Sequence, residues 1–155
     1  VKDGVPAFTR PPMDRLITYF APAPTCDFDR DGRLDIFFPT WFVEVPSLLL
    51  RNVTKGGHWL TVRVEGKGPG LNPTGVGATV RLYAAGHSGD RKYLLGRRDI
   101  SIGSGYSSGE EPLAHFGLGA TETCEVEVTW GELKSETKAA VDKMTTISME
   151  RGKGQ

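Results

Sequence analysis

The sequence predicts an all-β protein built as an antiparallel β-sandwich, and three observations carry that prediction. Glycine takes 20 of 155 positions and proline 10, against a usual glycine share of about 7%, so tight turns are frequent. Apolar residues come in short runs that alternate with polar ones, the period of a half-buried strand. No segment carries an apolar stripe at helical spacing over a useful length. Glu132 to Val141 could support one helical turn, but Gly131 breaks its start.

The elements follow in order. Residues 1–56 hold seven prolines, with short apolar runs at Leu16–Phe20, Ile36–Phe38 and Leu48–Leu50. Three or four short strands fit there, too few to enclose a core alone. The polar stretch Thr54-Lys55-Gly56-Gly57 separates this segment from residues 57–155, which read as the sandwich. Strands are predicted at His58–Glu65, at Ala78–Tyr83 and at Cys124–Trp130, where Val126, Val128 and Trp130 share a face opposite Glu125, Glu127 and Thr129. Met144–Glu150 closes the chain as a strand, and Arg91–Ile102 holds another despite Gly96. Glycine clusters at 66–70, 75–77, 86–89 and 103–109 are turns. No internal repeat is evident.

At this length the chain is one domain, or one with an appendage. It can bury roughly 68–70% of its unfolded surface without relying on cysteine cross-links. Lys+Arg 19 balances Asp+Glu 19, which argues against a nucleic-acid partner or a polybasic membrane-surface protein. The longest apolar stretch, residues 36–43, falls far short of the roughly 20 residues of a spanning helix, so no membrane insertion is expected. Val1 follows no basic-then-apolar leader, and a start other than Met suggests a processed or excised piece.

The strongest local signal is acidic. Asp27, Asp29, Asp31 and Asp35 stand at positions 1, 3, 5 and 9 of a loop with Gly32 at position 6. Calcium takes six to eight oxygen ligands in irregular geometry, and alternating aspartates on a tight loop converge on one centre. Arg33 would contribute its backbone carbonyl. An EF-hand is excluded, because position 12 is Phe38 rather than Glu and strand residues follow. The competing reading is an Asp-rich turn that hydrogen-bonds its own backbone. Hard oxygen donors disfavour zinc, and magnesium suits such a cage poorly.

These residues, Cys26 through Phe38 followed by Ser47-Leu48-Leu49-Leu50-Arg51-Asn52, resemble an FG-GAP/VCBS-type repeat, which implies a β-propeller blade with a calcium loop over residues 1–56. From His58-Trp59-Leu60 through Gly75-Val76-Gly77-Ala78 and His115-Phe116-Gly117-Leu118-Gly119 to Trp130, the chain is similar to an ASPIC/UnbV domain. That implies an ASPIC/UnbV-like β-sandwich over 57–155, as in the C-terminal portion of the cartilage acidic protein-like family. The family is largely extracellular, is not known for catalysis and has no settled biochemical role. A full propeller has about seven blades, whereas this chain holds at most one, and the EGF-like tail of animal members is missing.

Other candidates carry less. Gly105-Tyr106-Ser107-Ser108-Gly109 matches a nucleophile elbow, but that motif works only on a strand–turn–helix, and Glu110-Glu111-Pro112 follows. His58, His87 and His115 lack metal-ligand spacing, and His115 reads as a core or hydrogen-bonding residue. The glycines at 75–77 and 103–105 lack the helix that a phosphate loop requires. Among the aromatics, Trp59 and Trp130 read as core, while Trp41 and Tyr106 sit in loops as surface candidates for a sugar platform. Arg91, Lys92, Arg97 and Arg98 read as a solvated hairpin. Cys26 and Cys124 are either a disulfide or two buried thiols. Asn52-Val53-Thr54 is an acceptor sequon if the source is eukaryotic and secretory, whereas Asn72 is blocked by Pro73.

The expectation is therefore a non-enzymatic, calcium-stabilised binding or adhesion module. It would act extracellularly, at the cell surface or in the periplasm, and would recognise a protein or glycan partner through loops such as 103–112. The hairpin can also pack on upstream propeller blades. The alternatives are a carbohydrate-binding module using Trp41 and Tyr106, and a serine hydrolase using Ser107.

Overall fold

A computed structural model describes residues 22–151. The run Leu16–Phe20 lies outside the described residues. Strands β1 (Thr25–Cys26), β2 (Asp35–Phe38) and β3 (Leu48–Leu50) form a small antiparallel sheet in that order. The remaining strands are β4 (His58–Lys67), β5 (Thr79–Ala84), β6 (Leu94–Asp99), β7 (Leu113–Gly119), β8 (Thr123–Trp130), β9 (Leu133–Ala140) and β10 (Lys143–Glu150). They make one sheet of order β10-β4-β7 and another of order β6-β5-β8-β9. Among the described residues the helical content is one 3₁₀ turn at Arg91–Tyr93, whose Lys92 amide donates to Asp90. No helix among them is long and apolar enough to cross a membrane.

The two larger sheets face each other across one core, as the alternation predicts. Leu60, Val62 and Val64 of β4 and Ala114, Phe116 and Leu118 of β7 come from one side. Val80 and Leu82 of β5 and Val126 and Val128 of β8 come from the other, and Ile147 and Met149 of β10 close the layer. Full burial of each large apolar side chain contributes about 1.5–3 kcal/mol over exposure. Trp130 packs against this cluster from its edge.

Three features differ from the sequence reading. Residues 133–140 form β9 rather than a helical turn, paired with β8 from Trp130↔Leu133 to Thr123↔Ala140. Gly131, at φ 59, begins a two-residue hairpin turn instead of breaking a helix. Second, β10 runs parallel to β4, from Lys143↔Leu60 to Glu150↔Lys67. The chain leaves β9, turns at Val141–Asp142 and enters the opposite sheet. Asp142, at φ 58, holds that corner by donating its N–H to the Trp59 carbonyl at 2.7 Å.

Third, Trp59 is not a core residue. Leu60, Val62 and Val64 hold the inward phase of β4, so Trp59 shares the outward phase with Thr61 and Arg63. A register irregularity between His58 and Trp59 accompanies this. Cys26 and Cys124 are both free thiols. Cys124 sits in the core of β8 and is pushed above its ordinary pKa by burial.

Candidate metal centre and the cleft beside it

The acidic loop connects β1 to β2, and its backbone is held by its own carboxylates. Asp27 accepts the N–H groups of Asp31 at 3.0 Å and Gly32 at 2.9 Å. Asp35, only 1% exposed, accepts from Phe28 N at 3.2 Å and from Asn52 N at 2.7 Å. Those bonds satisfy a carboxylate that burial alone would penalise. Arg30 and Gly32 turn the chain at φ 58 and φ 87, and Gly32 is the residue type that enters this region without steric cost.

The structure brings Asp27, Asp29 and Asp35 together, with one oxygen of each within 4.8 Å of the others. Asp31 faces elsewhere: its carboxylate receives the guanidinium of Arg33 and, at 3.3 Å, that of Arg51. Arg51 also donates to Asp29 at 2.6 Å. Desolvation raises the Asp29 carboxyl, but the hydrogen bond and charge of Arg51 outweigh it and leave the pKa below the ordinary value. Three convergent hard oxygen ligands form a cluster that could hold a divalent cation of the calcium or magnesium type. Arg33 and Arg51 supply compensating charge on the Asp31 side, and the bonds from loop N–H groups to Asp27 and Asp35 are those of the competing reading, a self-bonded turn. Arg33 also donates through Nε to the Asn52 carbonyl at 2.8 Å.

The loop is seated on the sandwich. Gly32 lies so close to the Trp59 indole that a Cβ there would overlap the ring. Trp59 stacks with His115 at a centroid distance of 6.1 Å, and His115 Nδ1 lies 2.9 Å from Thr61 Oγ1. Burial pushes His115 below its ordinary pKa; the Asp27 charge and the Gly32 carbonyl oppose this, and Arg98 adds to it. The imidazole is therefore neutral at neutral pH. A second tie comes from Glu110, which accepts from both N and Oγ1 of Thr25 on β1 at 3.0 and 2.9 Å. At the β9–β10 corner, Asp142 pairs with His58 Nδ1 at 2.7 Å.

Between the hairpin and the outward face of β10-β4-β7 lies a cleft of about 970 Å³. Thr61, Arg63, His115 and Met144 line one side, with Asp27 and Arg30 opposite. Sequence reasoning missed it because its residues come from five separate segments. The available signal was the outward phase of β4, which carries Thr61 and Arg63.

The other candidates are spread apart. Trp41 and Tyr106 are each 65% exposed in loops. Ser107 adopts φ 51, and Gly103 bridges Gly109 before the chain enters β7, so the helix that a nucleophile elbow requires is not present in this segment. His87 stacks on Tyr93 at 3.6 Å. Asn52 is built into the acidic hairpin: its side-chain amide donates to Leu34 O at 3.2 Å and its oxygen accepts from Thr54. Arg97 pairs with Asp99, whereas Arg98 lies over the Phe116 ring at 5.7 Å.

Fold and site together define a β-sandwich module carrying an aspartate-rich hairpin on one face. Residues 68–155 match the family model described as ASPIC and UnbV, and the chain belongs to that family. It is 34% identical to human cartilage acidic protein 1 over 127 residues, covering 79% of this chain and 18% of that protein. The mouse protein of the same name is 33% identical over 124 residues, covering 78% and 18%. The Xenopus tropicalis protein is 34% identical over 118 residues, covering 75% and 17%. The chain thus spans less than a fifth of the length of these curated relatives.

Proposed function

We propose that this chain is a non-enzymatic, calcium-stabilised binding module acting outside the cytoplasm, and that its hairpin is an FG-GAP/VCBS-type blade element. The observation that carries the reading is the convergence of Asp27, Asp29 and Asp35 on a loop seated against Trp59. A divalent cation there would offset the repulsion among the carboxylates and hold Gly32 against the sandwich, so that metal binding becomes folding energy. Asp29 leaves the site open to solvent. Extracellular calcium modules work at about 10⁻⁴–10⁻³ M, a range that suits such an open site.

The name of the relatives, cartilage acidic protein 1, fits a place outside the cell. Exposed Phe37 and Leu49, cross-strand partners on one face of the small sheet, offer an apolar surface on which upstream blades could pack. Partner recognition, of a protein or a glycan, falls to the sandwich loops. A second reading, an aromatic sugar platform, is favoured only by the exposure of Trp41 and Tyr106. Thermal melting with EDTA, then with calcium or magnesium restored, tests the proposal. A fall in melting temperature reversed by calcium but not by equal magnesium supports it. A melt indifferent to chelator removes the metal from the account.

A further inference from the structure

The cleft beside the hairpin has an imbalance of hydrogen-bonding capacity that the metal reading does not use. Arg30, Arg63, Arg98 and Lys143 line it, and none of the four has a carboxylate partner among the described residues. The carboxylates on the same walls are mostly committed. Asp27 holds loop amides, Asp99 holds Thr79 and Arg97, Glu110 holds Thr25, and Asp142 holds His58. Cations without a carboxylate partner therefore stand among carboxylates most of which already hold a donor, and of the four only Arg98 spends a donor on a nearby carbonyl among the described residues, that of Arg97.

Arg98 is placed there by the fold. It pairs with Val80, whose side chain is in the core, so its own position on β6 faces inward. The side chain leaves the sandwich edge across Phe116 and brings its charge close enough to lower the pKa of His115. Arg63 stands on the outward face of β4, two residues from Thr61 and opposite Leu113.

We infer that this cleft binds an acidic oligosaccharide, with uronate carboxylates on Arg63 and Arg98 and hydroxyls on polar neighbours such as Ser101 and Glu111. Interspersed acids and bases suit isolated carboxylates spaced among hydroxyls better than a dense polyanion. The floor is a sheet face whose central strand, β4, is already paired with β10 and β7. An extended peptide adding as a strand would have to go to an edge of this sheet, β10 or β7, and not to the face that floors the cleft. A volume of about 970 Å³ is at the upper end of ordinary ligand pockets and accommodates a few sugar rings. This inference rests on the reading of the chain as a binding module and not on its metal.

The test is calorimetric titration of a galacturonate tetrasaccharide into the full chain, with a neutral maltotetraose and a poly-glutamate peptide as comparators. Binding should weaken by about tenfold or more in Arg63→Gln and Arg98→Gln, the scale of a lost hydrogen bond to a charged group. It should be unchanged in Arg91→Gln, which is outside the cleft. Arg63 is exposed on the sheet face, so its variant stays interpretable if Arg98→Gln loosens the packing on Phe116. No binding, equal binding of the neutral sugar, tighter binding of the peptide, or equal loss in Arg91→Gln would each overturn the inference. The titration is repeated in EDTA: saccharide binding with a chelator-insensitive melt sinks the metal reading alone, and a calcium-dependent melt without saccharide binding sinks this one alone.

Discussion

Gly32→Ala probes the joint between the acidic loop and the sandwich. At φ 87 a residue with a Cβ is strained by about 1–2 kcal/mol. The new methyl would also overlap the Trp59 indole, a rigid ring that cannot yield like the end of a flexible chain. Overpacking of this kind typically costs about 1–3 kcal/mol, which brings the sum to about 2–5 kcal/mol while the hairpin stays seated. For a chain of this size that corresponds to a fall in melting temperature of roughly 4–20 °C. Scanning calorimetry and urea unfolding read it directly, and Trp59 fluorescence shows whether the loop lifts away instead. In a double-mutant cycle, Trp59→Ala should recover the overlap part of the loss and leave the backbone part. A Gly32→Ala protein that melts within about 1 °C of the parent, with Trp59 fluorescence unchanged, would refute the reasoning, since strain and overlap both predict more.

Four further outcomes are expected. Asp35→Asn sets an amide N–H against a buried backbone donor and should cost about 1–3 kcal/mol in urea unfolding, with calcium affinity reduced in the same protein. Arg51→Gln should leave the melt nearly unchanged, because the side chain is 53% exposed. It should tighten calcium binding by calorimetry, because Asp29 is freed, and weaker binding would make Arg51 part of the scaffold instead. His115 titrates in the unfolded chain near its ordinary value of 6.5 but lower in the folded one. Its contribution is thus complete above that value and lost as pH falls through the folded pKa, and His115→Gln should flatten this part of the melt-versus-pH curve measured in EDTA. Reducing agent should not shift the melt, and Ellman's reagent should find two thiols in denaturant with Cys124 slow in the native state.

The legible parts of the fold were those where side-chain phase and burial agree. Val126 and Val128 alternate with polar residues and face the core, and β4, β5 and β10 read the same way. β9 was not legible because its apolar content is thin: beyond Leu133, its core-facing positions are Ser135, Thr137 and Ala139, and pairing with β8 makes it a strand. The parallel placement of β10 depends on a corner at Asp142 whose partners, Trp59 and His58, are more than 80 residues away. Trp59 misled because two adjacent apolar residues compete for one inward position, and Leu60 takes it. In the acidic loop, spacing located Asp27, Asp29 and Asp35, but not the diversion of Asp31, which is drawn away by Arg33 two residues on and by the sequence-distant Arg51. The cleft left no linear trace, because it exists only once the hairpin meets the sheet.

Terbium luminescence excited through tryptophan tests the central claim most directly, since it reports both that a cation enters the acidic loop and that the loop lies on Trp59. The account predicts saturable sensitised emission that calcium displaces, and that falls sharply in Trp59→Phe while terbium still binds. No sensitised emission from the folded protein, or emission undiminished in Trp59→Phe, would contradict it.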